Sequence, residues 1–159
     1  METWSSIVTA GATTVMALIT GVLAGFAWLQ VTSARDEAKR SRTLAACEKY
    51  DLDPFLDGSL RRLREAHDNG DFRKDPEPFK HDVLTLLNYF ESIAIGVKRK
   101  LYDVAIVRDH FAEIFQDHFN EYLGPNAVQT GWFTGKEFDR YQELCRDWSQ
   151  GTASLLKTK

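Results

Sequence analysis

The stretch Arg62-Leu63-Arg64-Glu65-Ala66-His67 holds the residue types and spacing that come nearest to a reaction in this sequence. Histidine can exchange a proton with a ribose 2′-hydroxyl or a leaving oxygen near neutral pH, and arginine can stabilise the charge that develops on a phosphorane. Four residues separate Arg62 from His67, and five separate Arg61 from it. The same residues also fit an ordinary role. Arginine is common on wet helix faces, and His67 stands just before Asp68-Asn69-Gly70, where a cation meets the negative end of a helix dipole.

A second set, His110, Glu113, Asp117 and Glu121, with Asp109 and His118 adjacent, recurs at steps of three or four and could present several metal ligands on one helix face. A solvated face has the same pattern. No HExxH pair, zinc-type cysteine spacing, phosphate-cradling glycine loop or G-x-S-x-G elbow accompanies it, so neither a metal nor a cofactor is expected. Glu91 aligns on helical spacing with Leu84, Leu87 and Ala94, at the edge of an apolar face where a carboxylate needs a partner or a raised pKa. It reads as an acceptor for a backbone amide, an arginine or a tyrosine hydroxyl, with a site acid or switch as the functional alternative. Asn88, one turn earlier, is expected in the same polar cluster. Lys98-Arg99-Lys100 could touch acidic lipid headgroups or neutralise a helix C-terminus.

The element that orders these residues is the uncharged, proline-free run from Ile7 to Leu29, long enough to cross a bilayer core as one helix. Its length and the lone Glu2 ahead of it are unlike a cleaved signal peptide. Arg35, Lys39, Arg40 and Arg42 follow the run and nothing basic precedes it, which predicts an outside N-terminus and a cytoplasmic remainder. Trp4 and Trp28 bracket it as interfacial indoles. Ala10, Thr13, Thr14, Ala17, Thr20, Gly21, Ala24 and Gly25 make one face small, while Val15, Met16, Ile19, Val22, Leu23 and Phe26 make the other bulky. Spacing of Ala17, Gly21 and Gly25 at four residues allows close helix approach in lipid, so self-association is expected. Cys47 and Cys145 lack CxxC spacing and read as free thiols in a reducing compartment.

Setting Glu2 aside leaves 20 basic residues against 22 of the chain's 23 acidic ones beyond the run. That near-neutral balance gives no nucleic-acid signal. Breaks gather at Asp53-Pro54, Asn69-Gly70, Asp75-Pro76-Glu77-Pro78, Gly124-Pro125 and Thr130-Gly131. Between them the apolar period is helical: Val31 to Tyr50 continues the span, and further helices run from Pro54 to about His67, from Phe79 through Val97, from about Asp103 to Leu123, and from about Lys136 to Ser149. Phe79, Val83, Leu84, Leu87, Phe90, Ala94 and Val97 are the expected core of the third, and Val104, Val107, Phe111, Ile114, Phe115, Phe119 and Tyr122 that of the fourth. The expected fold is all-α: a transmembrane anchor over 1–30, a juxtamembrane stalk over 31–50 and a helical bundle over 51–159.

Asn88, Phe90, Glu91, Ile93 and Ala94, followed by Lys98 to Lys100 and Asp103, form an N-x-F-E-x-I-A helix, a basic turn and an Asp-initiated helix. This wording resembles a family of small bacterial membrane proteins of unknown function, with one N-terminal span and a helical cytosolic domain. In layout the chain is more distantly similar to accessory membrane proteins of type VI-B CRISPR systems, a likeness that implies an oligomeric membrane pore in antiviral defence. Arg62 and His67 resemble the R-x(4 to 6)-H motif of ribonucleases of the higher-eukaryote-and-prokaryote nucleotide-binding type, although Leu63 stands where that motif often has a polar residue. The expectation is a non-catalytic protein of the bacterial inner membrane that works as a homo-oligomer and through a protein partner. A pore-forming effector and a membrane-tethered ribonuclease are the alternatives.

Overall fold

A computed structural model describes residues 2–125, 127, 132–133 and 137–149, with side chains from Val15 onward. The side chains of Trp4, Ala10, Thr13 and Thr14, the Thr130-Gly131 break and the expected helix start at Lys136 lie outside the described residues. Every regular element among the described residues is helical: α1 (Glu2–Leu52), α2 (Pro54–Asp68), α3 (Asp71–Lys74), a 3-10 turn (Glu77–Phe79), α4 (Lys80–Lys98), α5 (Val104–Tyr122) and α6 (Asp139–Ser149). The chain divides into two compact units, Met1–Ala38 and Lys39–Lys159.

In the first unit, α1 is long and apolar enough to cross a membrane, and from Val15 to Leu29 every side chain is exposed. The Thr20 hydroxyl donates back to the Met16 carbonyl at 2.8 Å, so its donor is satisfied within the helix.

The second unit opens at Lys39, inside the segment 31–50 expected as a stalk. Thr43 and Cys47 are buried in it, and Tyr50 is half-buried between Tyr89 and Phe111. Asp53-Pro54 turns the chain in a single residue. Proline forces the preceding residue out of the helical region, so Asp53 sits extended at φ −71° and ψ 115°. Its carboxylate then accepts from the Phe55 and Leu56 amides at 2.9 and 3.2 Å, capping α2 with Pro54 in the first turn.

Helix α4 is the centre of this unit. Val83, Leu86, Leu87, Phe90, Ile93, Ala94 and Val97 are all buried, a broader apolar surface than one stripe because α2, α5 and α6 all pack on α4. Phe90, Phe115 and Tyr141 form the middle of the core, with ring centroids 4.7 to 5.4 Å apart. The Tyr141 hydroxyl donates to the Phe115 carbonyl at 2.6 Å, and the Cys145 thiol faces the same oxygen at 3.7 Å. Of the expected core residues of α5, Val107, Phe111, Phe115 and Tyr122 are buried, whereas Val104, Ile114 and Phe119 lie at the core's margin.

The α4–α5 turn is closed by amide bonds from Lys100 to the Val97 carbonyl and from Leu101 to that of Gly96, both 2.9 Å, with Lys100 left-handed at φ 59°. A Cβ at Gly96 would overlap the Tyr102 ring, so glycine is required there for the turn to lie flat on α4. Asp103 then caps α5 through the Ala105 amide at 3.0 Å, while its own N–H donates to the Thr43 hydroxyl at 2.7 Å. Thr43 in turn donates to the Lys39 carbonyl at 2.8 Å. The hydroxyl of one fully buried threonine thereby joins α1 to the start of α5.

Candidate functional site

The exposed stretch of α1 is the most unusual surface of the chain. A Cβ built on Gly21 or Gly25 meets nothing within 4 Å, and Ala17 is exposed on the same face. Val15, Met16, Ile19, Val22, Leu23 and Phe26 are each at least half exposed. Soluble proteins rarely leave so large a contiguous apolar surface in water, and the stretch is long and apolar enough to cross a membrane.

The polar residues singled out by spacing are distributed through the second unit. Glu91 accepts from the backbone amides of Tyr141 at 2.8 Å and Arg140 at 3.3 Å, the third and second residues of α6. Helix α6 needs this help. The carbonyl of Phe138 accepts the first helical bond, from Gln142 at 2.9 Å, and its hydrocarbon side chain has no oxygen with which to cap the orphan amides. Phe138 is also left-handed at φ 61°. Glu91 thus caps from α4 a helix whose own N-cap cannot. Asn88 is exposed and takes no part in these bonds, so the expected polar cluster does not form.

Arg62 and His67 are five positions apart, about 140° around a helix of 3.6 residues per turn, and they turn to different neighbours. Arg62 clamps Asp82 of α4 in a bidentate pair, Nε donating to Oδ2 at 3.0 Å and Nη2 bonding Oδ1, with Ser59 at 3.4 Å from Nη2. Burial pushes the Asp82 carboxyl up, but the hydrogen bonds from Arg62 and Ser59 and the guanidinium charge outweigh it and hold it below the usual carboxylate range. His67 faces α5, with Nε2 2.9 Å from Glu121 Oε1 and 3.4 Å from the Tyr122 hydroxyl, and its ring lies over Phe72 at 4.5 Å. Each residue therefore ties α2 to a different helix.

Of the four candidate ligands on α5, Glu121 is engaged with His67, Glu113 and Asp117 are exposed, and His110 faces Asp51 across 3.7 Å. Among the described residues no three His, Cys, Asp or Glu side chains are placed to hold a metal ion. His118, which spacing had only placed beside the set, is the imidazole with a perturbed environment. Burial against the edge of Phe90, 5.4 Å away, lowers its pKa, partly opposed by its Nδ1–H bond to the Ile114 carbonyl at 2.7 Å.

Lys98 pairs with Glu143 of α6 at 2.6 Å. Asp82 was missed by the sequence reading. Its partner Arg62 stands twenty residues away on another helix, and no local signal links the two. Both cysteines are free and buried, and burial pushes the Cys145 thiol up to about 12.

No curated protein and no solved structure matches the chain. Residues 14–123, from within the apolar stretch of α1 to the end of α5, match the model of the domain of unknown function DUF4760. Helix α6, which Glu91 caps, lies beyond the matched region. On that match, which covers most of its length, the chain belongs to the DUF4760 family.

Proposed function

We propose that this is a single-span protein of the bacterial inner membrane, N-terminus outside, whose cytoplasmic helical domain acts through self-association and protein contacts rather than catalysis. The observation that carries this reading is the exposed apolar stretch of α1 with its open Ala17-Gly21-Gly25 face. In lipid, helices gain nothing hydrophobic by meeting, so a face that permits close backbone approach is what favours pairing. The engagement of Arg62 with Asp82 and of His67 with Glu121 supports a structural role for both.

The test has two parts. Alkaline extraction of membranes should leave the chain in the pellet, and its recovery in the soluble fraction would end the anchor reading. Mass photometry of the detergent-solubilised chain should give an oligomer that Gly21→Leu reduces. Among the described residues nothing lies within 4 Å of a Cβ at Gly21, so that substitution reports on association and not on folding. A monomer for both proteins would refute self-association, and a ring-sized assembly that conducts ions would replace the scaffold reading with a pore.

A further inference from the structure

We infer that the second unit carries a docking contact for a second copy of this chain, in which the acidic corner between α1 and α2 of one copy enters the groove between the C-terminal part of α1 and the α4–α5 turn of the next. Both surfaces belong to the second unit. The contact rests on the self-association reading and gives it a place outside the apolar stretch.

The corner leaves apolar side chains unpartnered. Asp53 caps α2, so Leu52 is the residue just before the cap and Asp57 the fourth residue of the helix. Those two positions often hold an apolar pair that packs together across a helix start. Asp57 cannot complete such a pair, and Leu52 stays 68% exposed. Phe55, in the first turn of α2, is 62% exposed. Glu48 stands one turn before Leu52 on α1. The side chains of Glu48 and Asp57 are exposed and have no ion pair or hydrogen bond among the described residues. Two apolar side chains beside free carboxylates have the make-up of an interface anchor with a charged rim.

The groove has the opposite charge. Its volume is about 550 Å³. Arg42 and Lys49 line it from α1, about 10 Å apart along the helix at 1.5 Å per residue, and Ala45, Ile93, Leu101 and Tyr102 add apolar surface. No carboxylate lines it, and among the described residues neither cation has an ion pair or hydrogen bond. Leu101 is 46% exposed. The exposure of Leu52 and Phe55 means that the chain's own corner does not fill this groove. The corner of a second copy would set Leu52 and Phe55 against Leu101 and Ile93, and Glu48 and Asp57 against Arg42 and Lys49. Complementary charge favours this pairing over corner on corner or groove on groove, each of which brings like charges together. Because the two surfaces differ, the contact is heterologous, and repeated from copy to copy it forms a ring or an open chain.

The experiment replaces Phe55 with the photo-cross-linking residue p-benzoylphenylalanine in the full-length, detergent-solubilised chain and maps the adduct by mass spectrometry. The expected product is a covalent dimer joined from that position to the segment 42–49 or 101–102 of the second copy. R42E/K49E and E48K/D57K should each reduce the dimer at least about tenfold, and mixing the two variants should restore it, because each reversed surface then meets a complementary one. R73E, which replaces an exposed arginine on neither surface, should leave it unchanged. Arg42, Glu48, Lys49 and Asp57 are all exposed, so their replacement leaves the core intact, which circular dichroism checks. An undiminished dimer in R42E/K49E, an adduct elsewhere on the chain or on another protein, or no restoration on mixing would overturn the inference. An oligomer in mass photometry without this adduct fails this inference alone, whereas a monomeric wild-type chain fails the self-association reading as well.

Discussion

Glu91 replaces an N-cap that its own helix lacks, so its side chain should matter to stability more than a half-buried carboxylate ordinarily does. Glu91→Ala leaves two α6 amides unpaired at the positive end of that helix and should lower unfolding stability by about 1–2 kcal/mol in denaturant titration. Glu91→Gln keeps an acceptor and should lose less than half of that. His118 carries the pH dependence. Its folded pKa lies below the ordinary histidine value, chiefly through burial, with the charges of Glu121 and Asp117 opposing and that of His67 adding to the shift. The unfolded chain therefore takes up a proton first as pH falls. Stability is complete above about pH 6.5 and declines below it toward the folded pKa. The melting temperature of the wild-type chain should fall between pH 7 and pH 5, and His118→Gln should flatten that slope. At this scale the sequence revealed which carboxylate sits on an apolar edge but not what it serves, because capping is read from Ser, Thr, Asp or Asn and the α6 cap is Phe138.

At the scale of elements, helices long enough to show an apolar period were legible, with ends at Asp53-Pro54, Asp103 and Gly124 where the capping chemistry is local. Helix α3 was hidden, since four residues cannot display a period, and only Phe72 of it is buried. The breadth of α4 was also hidden. Leu86 and Ile93 fall outside a single stripe and are buried because neighbours pack on more than one side, a fact of topology and not of α4 itself. The α4–α5 turn offers a test of local chemistry. Lys100 holds a left-handed conformation that costs a side-chain-bearing residue about 1 kcal/mol, so Lys100→Gly should raise stability by up to that amount in thermal or urea unfolding. Gly96→Ala should act in the opposite direction, because its methyl group would displace the Tyr102 ring.

For the whole molecule, the boundary between the two compact units lies inside a helix. A sequence reading that follows composition puts the domain start near residue 51, where charge and proline change, yet Thr43, Cys47 and Tyr50 already belong to the core unit. Their contribution was illegible because three inward residues in a polar helix make a weak stripe. A fragment beginning at Lys39 should unfold cooperatively, and one beginning at Asp53, which lacks the Thr43 hydroxyl and the Tyr50 ring, should be less stable by several kcal/mol in chemical denaturation. The buried thiols have a practical consequence of a different kind. Burial keeps Cys47 and Cys145 protonated at neutral pH, and protonated thiols are poor nucleophiles, so the native chain is nearly silent toward maleimides. A single cysteine added on either side of the apolar run would be the only fast-reacting group, with no need to remove the others. On intact cells an impermeant maleimide should mark Ser6→Cys and spare Ser33→Cys, and the reverse pattern would turn the protein around in its membrane.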